Sequence, residues 1–142
     1  MFKSQIESIL KLENSTKSGF QGVFPIDLLP SRQTGSYVIN LDKHDQPGSH
    51  WVAVYDDGEK VEYFDSFGIP PTCRTFLGST AVYSTAHIQP LMSNACGFYC
   101  VYFIIKRASN IPMNVILNLL CRTDSHFLVK DYLYSRYSCV FK

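Results

Sequence analysis

The chain has 142 residues, of which 46% are hydrophobic and 14% aromatic, and its formal net charge is +1. This length suits one domain with a substantial core, so we expect a single domain over residues 1–142. No run approaches the ~20 apolar residues of a membrane span, and a charge near zero gives no electrostatic reason to expect nucleic acid or a membrane as a partner.

The first third of the chain predicts one helix, a turn-rich break and one strand. Apolar residues recur on one helical face at the start, and the pattern is that of an amphipathic helix and not of a signal peptide. The elements predicted here are a helix over 2–13, a break over 14–22, a short turn or helical piece over 24–30, a strand over 37–41 and a polar loop over 42–49 that leads to His50.

Residues 50–65 predict a β-hairpin that brings His50 to Asp65. Asp57-Gly58 between two β-rich runs favours a two-residue type I′ turn, in which both central residues have positive φ. With that turn, His50 lies directly opposite Asp65, and their Cβ atoms are roughly 5 Å apart. A carboxylate at that distance can orient an imidazole ring through one ring nitrogen. Both strands are apolar on both faces, so we expect them in the interior of an α/β or α+β domain.

The second half of the chain predicts mainly helices. The run that begins at Cys96 is apolar nearly all round and ends in Lys106 and Arg107, as expected of a buried helix. Ser93 or Asn94 is the expected N-cap of this helix. The other predicted elements are a short helix within 72–86, a short strand over 87–89, and helices over 112–120 and 125–137, the last with Phe127, Leu128, Tyr132 and Leu133 on one face.

Cys96 is the candidate nucleophile because it falls in the first turn of the buried helix. Unpaired backbone N–H groups and the helix dipole stabilise an anion there, so the thiol should be acidified. Gly97 leaves room for a substrate backbone beside the sulfur, and Trp51 could line the same cleft, although a large aromatic residue beside a catalytic strand also fits a role in the core.

Four residues fit the requirements of a thiol protease. Such an enzyme needs a thiolate, an imidazole that forms an ion pair with it, a group that orients the imidazole, and donors for the oxyanion. Cys96, His50 and Asp65 fit the first three roles. The Cys96 N–H and the Gln89 amide fit the fourth.

Three other interpretations remain open at this stage. Cys96 and Cys100 are one helical turn apart and could bind a metal with a histidine, but no Cys-x-x-Cys or His-x-x-x-His pair occurs. Cys100 could resolve an oxidised Cys96, although two residues of one helix pair poorly in a disulfide. A non-catalytic protein-binding domain could retain the same fold. We expect no metal and no cofactor. The odd number of cysteines, five, favours a reduced intracellular setting.

Three sequence blocks carry a family resemblance. They run from Gly48 to Ala53, from Tyr63 to Gly68 and from Gln89 to Gly97, and their order and separations resemble the active-site blocks of the adenovirus-type cysteine proteases (adenain). This family includes proteases of Maverick/Polinton-type elements and is related to the SUMO-specific proteases. The resemblance implies an α+β fold with a mixed central sheet, packed against the helix that begins at the nucleophile.

The resemblance also implies roles for individual residues. Cys96 matches the nucleophile, His50 the general base and Gln89 the oxyanion-hole glutamine, while Asp65 stands where the adenoviral enzymes carry a glutamate. The implied substrates are viral or element-encoded precursor polypeptides, with an isopeptidase of the deubiquitinase or SUMO-protease type as the alternative. The implied setting is the interior of a cell, either the host nucleus or the virion. An activating peptide and DNA are not predicted, because no cysteine matches the peptide-linked one and the net charge is near zero.

Overall fold

The computed structural model describes residues 1–47, 50–90 and 93–142. Gly48 and Ser49, from the first sequence block, and Leu91 and Met92, from the third, lie outside the described residues. The described elements are, in chain order, α1 (Lys3–Leu12), β1 (Phe20–Pro25), β2 (Gly35–Asn40), β3 (Trp51–Asp56), β4 (Val61–Phe64), α2 (Arg74–Leu77), β5 (Val82–Tyr83), α3 (Cys96–Ala108), α4 (Met113–Leu120), α5 (Ser125–Arg136) and a 3₁₀ helix (Ser138–Phe141).

A five-stranded mixed sheet lies at the centre of the molecule, in the order β1-β2-β3-β4-β5. The inner pairs β2–β3 and β3–β4 are antiparallel, and the edge pairs β1–β2 and β4–β5 are parallel. Helix α3 packs against the central strand β3 and contacts α1, α4 and α5. The predicted α+β fold, with a mixed sheet packed against the helix that begins at Cys96, is confirmed.

The sheet is covered on both faces, as the apolar pattern of residues 51–64 predicts. On one face Ala53 and Phe64 join the large core formed with α1, α3 and α5. The Phe64 ring stacks on Phe103 of α3 with 4.7 Å between ring centroids. On the other face Val52 and Val54 belong to a smaller cluster with α2. This burial on both sides fixes the strands whose ends carry the candidate site.

The predicted register of the β3–β4 hairpin is wrong by two residues. Val54 pairs with Tyr63, which is two residues further along β4 than the type I′ turn requires. Gly58 has a φ of 95°, but Asp57 does not adopt positive φ. Instead, the Asp57 Oδ1 accepts hydrogen bonds from the N–H groups of Glu59 (2.9 Å) and Lys60 (2.8 Å), so the loop spans four residues. Because side chains alternate with a period of two, this shift leaves every side chain on its predicted face.

Two extended segments differ from their predictions. Strand β1 occupies residues that were predicted to form a turn, because its parallel pairing with β2 stabilises an edge strand with a weak sequence pattern. Residues 87–89, predicted as a strand, form none: the N–H groups of Ile88 and Gln89 both donate to the Ser66 carbonyl oxygen. The strand in this region is β5, which pairs with β4.

Two helix details also differ from their predictions. The N-cap of α3 is Ala95, and the Ser93 Oγ accepts a hydrogen bond from the Ala95 N–H (3.1 Å) instead of capping the helix. Helix α5 buries Val129 and Leu133, while Phe127 is 69% exposed. Among the described residues, none of the helices combines the length and apolar character needed to cross a bilayer.

Candidate active site

The candidate site lies where the ends of two strands meet the start of a helix. His50 immediately precedes β3, Asp65 immediately follows β4, and Cys96 is the first residue of α3. Because α3 packs against β3, the three residues converge although they are far apart in sequence. The described part of the chain thus brings together the three residues predicted as a nucleophile, a base and an orienting acid.

His50 and Asp65 form the predicted hydrogen bond in spite of the register shift. The distance from His50 Nε2 to Asp65 Oδ1 is 2.8 Å. Both residues lie just beyond the last paired residues of their strands, so they meet diagonally across the end of the hairpin. Asp65 is fully buried, and its Oδ1 also accepts a hydrogen bond from the Phe67 N–H (2.8 Å). These contacts fix the carboxylate that holds the imidazole ring.

The turn after β4 requires a glycine. The Gly68 N–H donates to the Asp65 carbonyl oxygen (2.8 Å), and Gly68 has a φ of 71°. A Cβ atom at this position would lie 2.5 Å from the Thr85 carbonyl oxygen. Glycine is therefore the residue that allows the chain to turn closely behind the buried carboxylate.

The sequence interpretation gave no role to Phe67, which stacks on the His50 ring. The ring centroids are 4.7 Å apart and the planes are tilted by 20°. His87 approaches the same phenyl ring edge-on at 5.6 Å. Phe67 stands two residues after Asp65, within the second sequence block of the family resemblance. That position was the only indication of a role that the sequence offered. The stacking restricts the imidazole to one orientation, as the hydrogen bond with Asp65 also does.

The electrostatics favour a thiolate–imidazolium pair. Burial lowers the pKa of His50, but hydrogen bonds to Asp65 and Cys96 outweigh that effect and raise the pKa to about 9. Burial raises the pKa of the Cys96 thiol, but hydrogen bonds from His50 and from the Trp51 N–H, with the positive charge of His50, lower it below its usual value overall. Because Nε2 is bonded to Asp65, Nδ1 is the ring nitrogen that remains for Cys96.

The neighbouring thiols lie in a different environment. Cys100 is one helical turn beyond Cys96 and completely buried, and this burial raises the pKa of its thiol well above the usual range. Burial likewise raises the pKa of Cys73. Since the thiolate is the reactive form of cysteine, Cys96 is chemically distinct from both.

Gln89 belongs to a buried hydrogen-bond network beside the site. Its Oε1 accepts a hydrogen bond from Ser66 Oγ (2.6 Å), and its Nε2 donates to the Ser93 carbonyl oxygen (2.7 Å). A primary amide has two N–H groups, and this bond uses one of them. The network links the turn that follows Asp65 to the segment that leads into Cys96.

Trp51 and Gly97 contact each other beside the nucleophile. A Cβ atom on Gly97 would lie 3.3 Å from Trp51 Cδ1 and 3.0 Å from Met1 Cβ. The space predicted for a substrate backbone is thus filled here by Met1. Trp51 is half-buried and also lines a cleft of about 480 Å³ with Met1, Pro25 and Leu28.

Metal binding was one of the alternatives left open by the sequence. Within residues 1–47, 50–90 and 93–142, no group of three or more His, Cys, Asp or Glu side chains is arranged to hold a metal ion.

The chain is similar in sequence to one viral protein. No protein-family model matches the chain. A protein of Acanthamoeba polyphaga mimivirus, named "putative thiol protease", is 31% identical over 100 residues, which cover 58% of this chain and 33% of that protein. The chain thus spans about a third of the length of this curated relative.

The fold is similar to that of one solved viral protein. The crystal structure of an ASFV protease superposes with a TM-score of 0.57 at 17% sequence identity, covering 88% of this chain and 63% of that one. At this identity the match shows a common fold. The resemblance to adenain itself rests on the three sequence blocks.

Proposed function

We propose that this chain is a thiol endopeptidase of the adenain-like class, with Cys96 as its nucleophile. One observation carries the proposal: a single imidazole, that of His50, hydrogen-bonds both to the buried Asp65 carboxylate and to the thiol of Cys96. Nucleophile, base and orienting acid in mutual contact are the geometry that covalent acyl transfer requires.

In the proposed mechanism the Cys96 thiolate attacks the scissile carbonyl carbon and forms a C–S bond. The carbonyl oxygen becomes an oxyanion, which accepts hydrogen bonds from the Cys96 N–H and from the second Nε2–H of Gln89. As the first N–H of α3, the Cys96 N–H has no acceptor within the helix. The C–N bond then breaks as the His50 imidazolium protonates the leaving amine.

Hydrolysis of the thioester completes the proposed cycle. Neutral His50 takes a proton from water, the resulting hydroxide attacks the thioester carbonyl, and the C–S bond breaks to release the acid and the thiolate. Asp65 holds the imidazole through Nε2 in both steps. This chemistry needs only residues of the chain and water, with no cofactor.

The proposed substrates are precursor polypeptides of a virus or a mobile element, cut inside the host cell, in its nucleus or in the virion. The two similar proteins support this substrate class, because each comes from a virus and each is named a protease. Trp51 and Gly97 are the proposed substrate-binding residues, because the backbone of each hydrogen-bonds to the Cys96 thiol and Trp51 also lines a cleft. A substrate backbone at Gly97 would take the place of Met1.

The test is co-expression of the chain with the structural proteins encoded beside it, followed by mass spectrometry of the products. We expect defined cleavage products with the wild-type chain and none with Cys96→Ala, because the nucleophile is lost. Cys139→Ala is the matched control, since Cys139 is exposed and distant in sequence, and it should cleave normally. Full activity of Cys96→Ala, with an unchanged product pattern, would refute the proposal.

A further inference from the structure

A second cleft lies beside the segment that leads into Cys96. It has a volume of about 460 Å³. Its described walls come from the loop before α3 and from one face of α5. The lining residues are Pro90, Ser93, Asn94, His126 and Lys130.

The side chains of α5 make this cleft cationic. His126 and Lys130 are four residues apart and therefore share one face of the helix. None of the five lining residues is acidic. The acidic neighbours on α5 are directed elsewhere: Asp124 pairs with Arg122 (3.4 Å), and Asp131 lines a separate cleft with Tyr134. Within the described part of the chain, Lys130 has no salt-bridge partner.

His126 lines this cleft and has one ring nitrogen without a hydrogen-bond partner in the described part of the chain. Its Nδ1 is buried and finds no partner among the described residues. Buried polar atoms are normally paired, so a turn of the His126 ring that pairs this atom with a ligand in the cleft would be favourable. Burial lowers the pKa of His126, and repulsion by Lys130 lowers it further. An anion between His126 and Lys130 would offset both effects and raise the pKa of His126 again.

The position of this cleft relative to the nucleophile is fixed by hydrogen bonds. Asn94 is two residues before Cys96, a chain distance of at most ~7 Å. Gln89 Nε2 and the Ala95 N–H hold Ser93 in place. On the opposite wall, the Ser125 Oγ hydrogen-bonds to the Tyr99 hydroxyl (3.1 Å) and ties α5 to α3. An extended peptide advances ~3.3 Å per residue, so the Asn94 side of this cleft lies about two substrate residues from Cys96.

We propose that this cleft binds a carboxylate of the polypeptide substrate, two or three residues from the scissile bond, through Lys130 and His126. The carboxylate is either an Asp or Glu side chain or the carboxyl terminus of the polypeptide. This inference rests on the proposed protease function and adds a substrate preference to it. No such preference follows from Cys96, His50 and Asp65, because they contact only the reacting groups.

The test is cleavage-site profiling with a library of proteome-derived peptides, read by mass spectrometry. We expect the wild-type chain to prefer Asp and Glu by about 3- to 10-fold at one position near the cut, as a partly exposed ion pair would give. Lys130→Glu should abolish or reverse this preference in favour of Lys and Arg. Cuts at a fixed distance from peptide carboxyl termini would instead identify the terminal carboxylate as the bound group.

Lys17→Glu is the matched charge reversal. The neighbours of Lys17 in the chain, Thr16 and Ser18, line a cleft with Ala108 at the other end of α3, about 18 Å along the helix axis from Cys96. Lys17→Glu should leave the profile unchanged. Both variants are first checked for an unaltered melting temperature and for wild-type alkylation of Cys96.

Cleavage without a carboxylate preference, or with one that survives in Lys130→Glu, overturns this inference alone. No cleavage by the wild-type chain overturns the protease proposal, and this inference with it.

Discussion

His50 and Cys96 should give different pH dependences for two reactions of the same site. The pKa of His50 is raised to about 9, and that of Cys96 is lowered. Hydrolysis needs both the thiolate and the imidazolium, whereas alkylation needs only the thiolate. We expect peptide hydrolysis to fall as the pH rises through about 9, while alkylation of Cys96 by iodoacetamide shows no decrease there. Stopped assays across pH 5 to 10 measure both rates.

The control for this experiment is His50→Ala. Without the imidazolium, the main stabilisation of the thiolate is lost, so alkylation below neutral pH should slow to the rate of an ordinary thiol. A wild-type hydrolysis rate that stays constant to pH 10 would contradict the assignment of His50 as the acid that protonates the leaving amine.

Asp65→Asn tests the orienting acid. The amide oxygen can still accept hydrogen bonds from His50 and the Phe67 N–H, but the negative charge that stabilises the imidazolium is lost. We expect kcat/KM to fall by about 10- to 10³-fold, or about 1.4 to 4 kcal/mol of transition-state stabilisation. Since the pKa of His50 should also fall, the alkaline limb of the hydrolysis profile should move to lower pH.

Asp56→Asn is the comparison variant, because Asp56 is also acidic and nearly buried but pairs with Arg32 (2.9 Å) and not with His50. Asp56→Asn should not change the pH at which hydrolysis decreases on the alkaline side. If Asp56→Asn moved the alkaline limb and Asp65→Asn did not, the role of Asp65 would be wrong.

At the scale of single residues, the sequence was informative where chemistry limits the choice of side chain. A thiol at the first residue of a helix and a histidine–acid pair at the two ends of a hairpin both follow from local patterns. Phe67 could not be assigned in this way, because stacking on His50 depends on the path of the turn after Asp65. The Met1 contact with Gly97 joins residues too far apart in sequence for any local pattern to show it.

At the scale of elements, Arg107 anchors the far end of α3 to the sheet. Its Nε donates to Glu62 Oε1 on β4 (2.6 Å), and its Nη1 donates to the Ile111 carbonyl oxygen (3.1 Å). The guanidinium also lies over the Tyr55 ring at 4.7 Å. Glu62 is buried, and Arg107 is its buried partner, while the mostly exposed Lys60 lies 3.6 Å from its other carboxylate oxygen.

Arg107→Met should therefore destabilise the protein strongly. Breaking a buried ion pair costs about 3 to 5 kcal/mol in the free energy of unfolding when no other partner remains. Glu62 keeps the exposed Lys60, so we expect a loss toward the lower end of that range. The double variant Arg107→Met/Glu62→Leu should recover most of this loss, since neither charge is then buried. Urea denaturation measures both values.

Lys3→Met provides the surface comparison, because Lys3 forms an exposed pair with Glu7 at 3.8 Å on α1. Its effect should be within about 0.5 kcal/mol. If Arg107→Met also changed the free energy of unfolding by no more than about 0.5 kcal/mol, the buried pair of Arg107 and Glu62 would not stabilise the fold.

The elements themselves were predicted unevenly, and the reason is how far each depends on distant residues. The long helices α1, α3, α4 and α5 follow from their own apolar patterns. Strand β1 depends on β2 for its hydrogen bonds, and the hairpin register depends on the Asp57 side chain bonding to Glu59 and Lys60. The position of Phe127 was also not predictable, because tertiary packing decides which face of α5 is buried, and Phe127 is exposed.

At the scale of the whole molecule, the sheet is held between two apolar layers of unequal size. The larger layer contains most of α3, and Phe103 is its central contact with β4 through the stacked Phe64 ring. Phe103→Ala should cost about 3 to 5 kcal/mol in the free energy of unfolding, because a fully buried ring leaves a cavity between helix and sheet. Thermal and urea unfolding measure this loss.

Phe127→Ala is the control for this prediction, because Phe127 also is a helical phenylalanine but is 69% exposed. We expect a change within about 0.5 kcal/mol. Equal losses for the two variants would show that α3 does not form the centre of the core.

Cys100 is completely buried one turn beyond Cys96, so labelling of this thiol can report the opening motions of α3. Cys96 records the reactivity of the folded site, while Cys100 can react only after α3 separates from the sheet. The rate of Cys100 labelling under native conditions therefore measures the population of open molecules. Both thiols lie on one tryptic peptide ending at Lys106, so a single mass spectrum reads chemical reactivity and conformational opening from the same molecules.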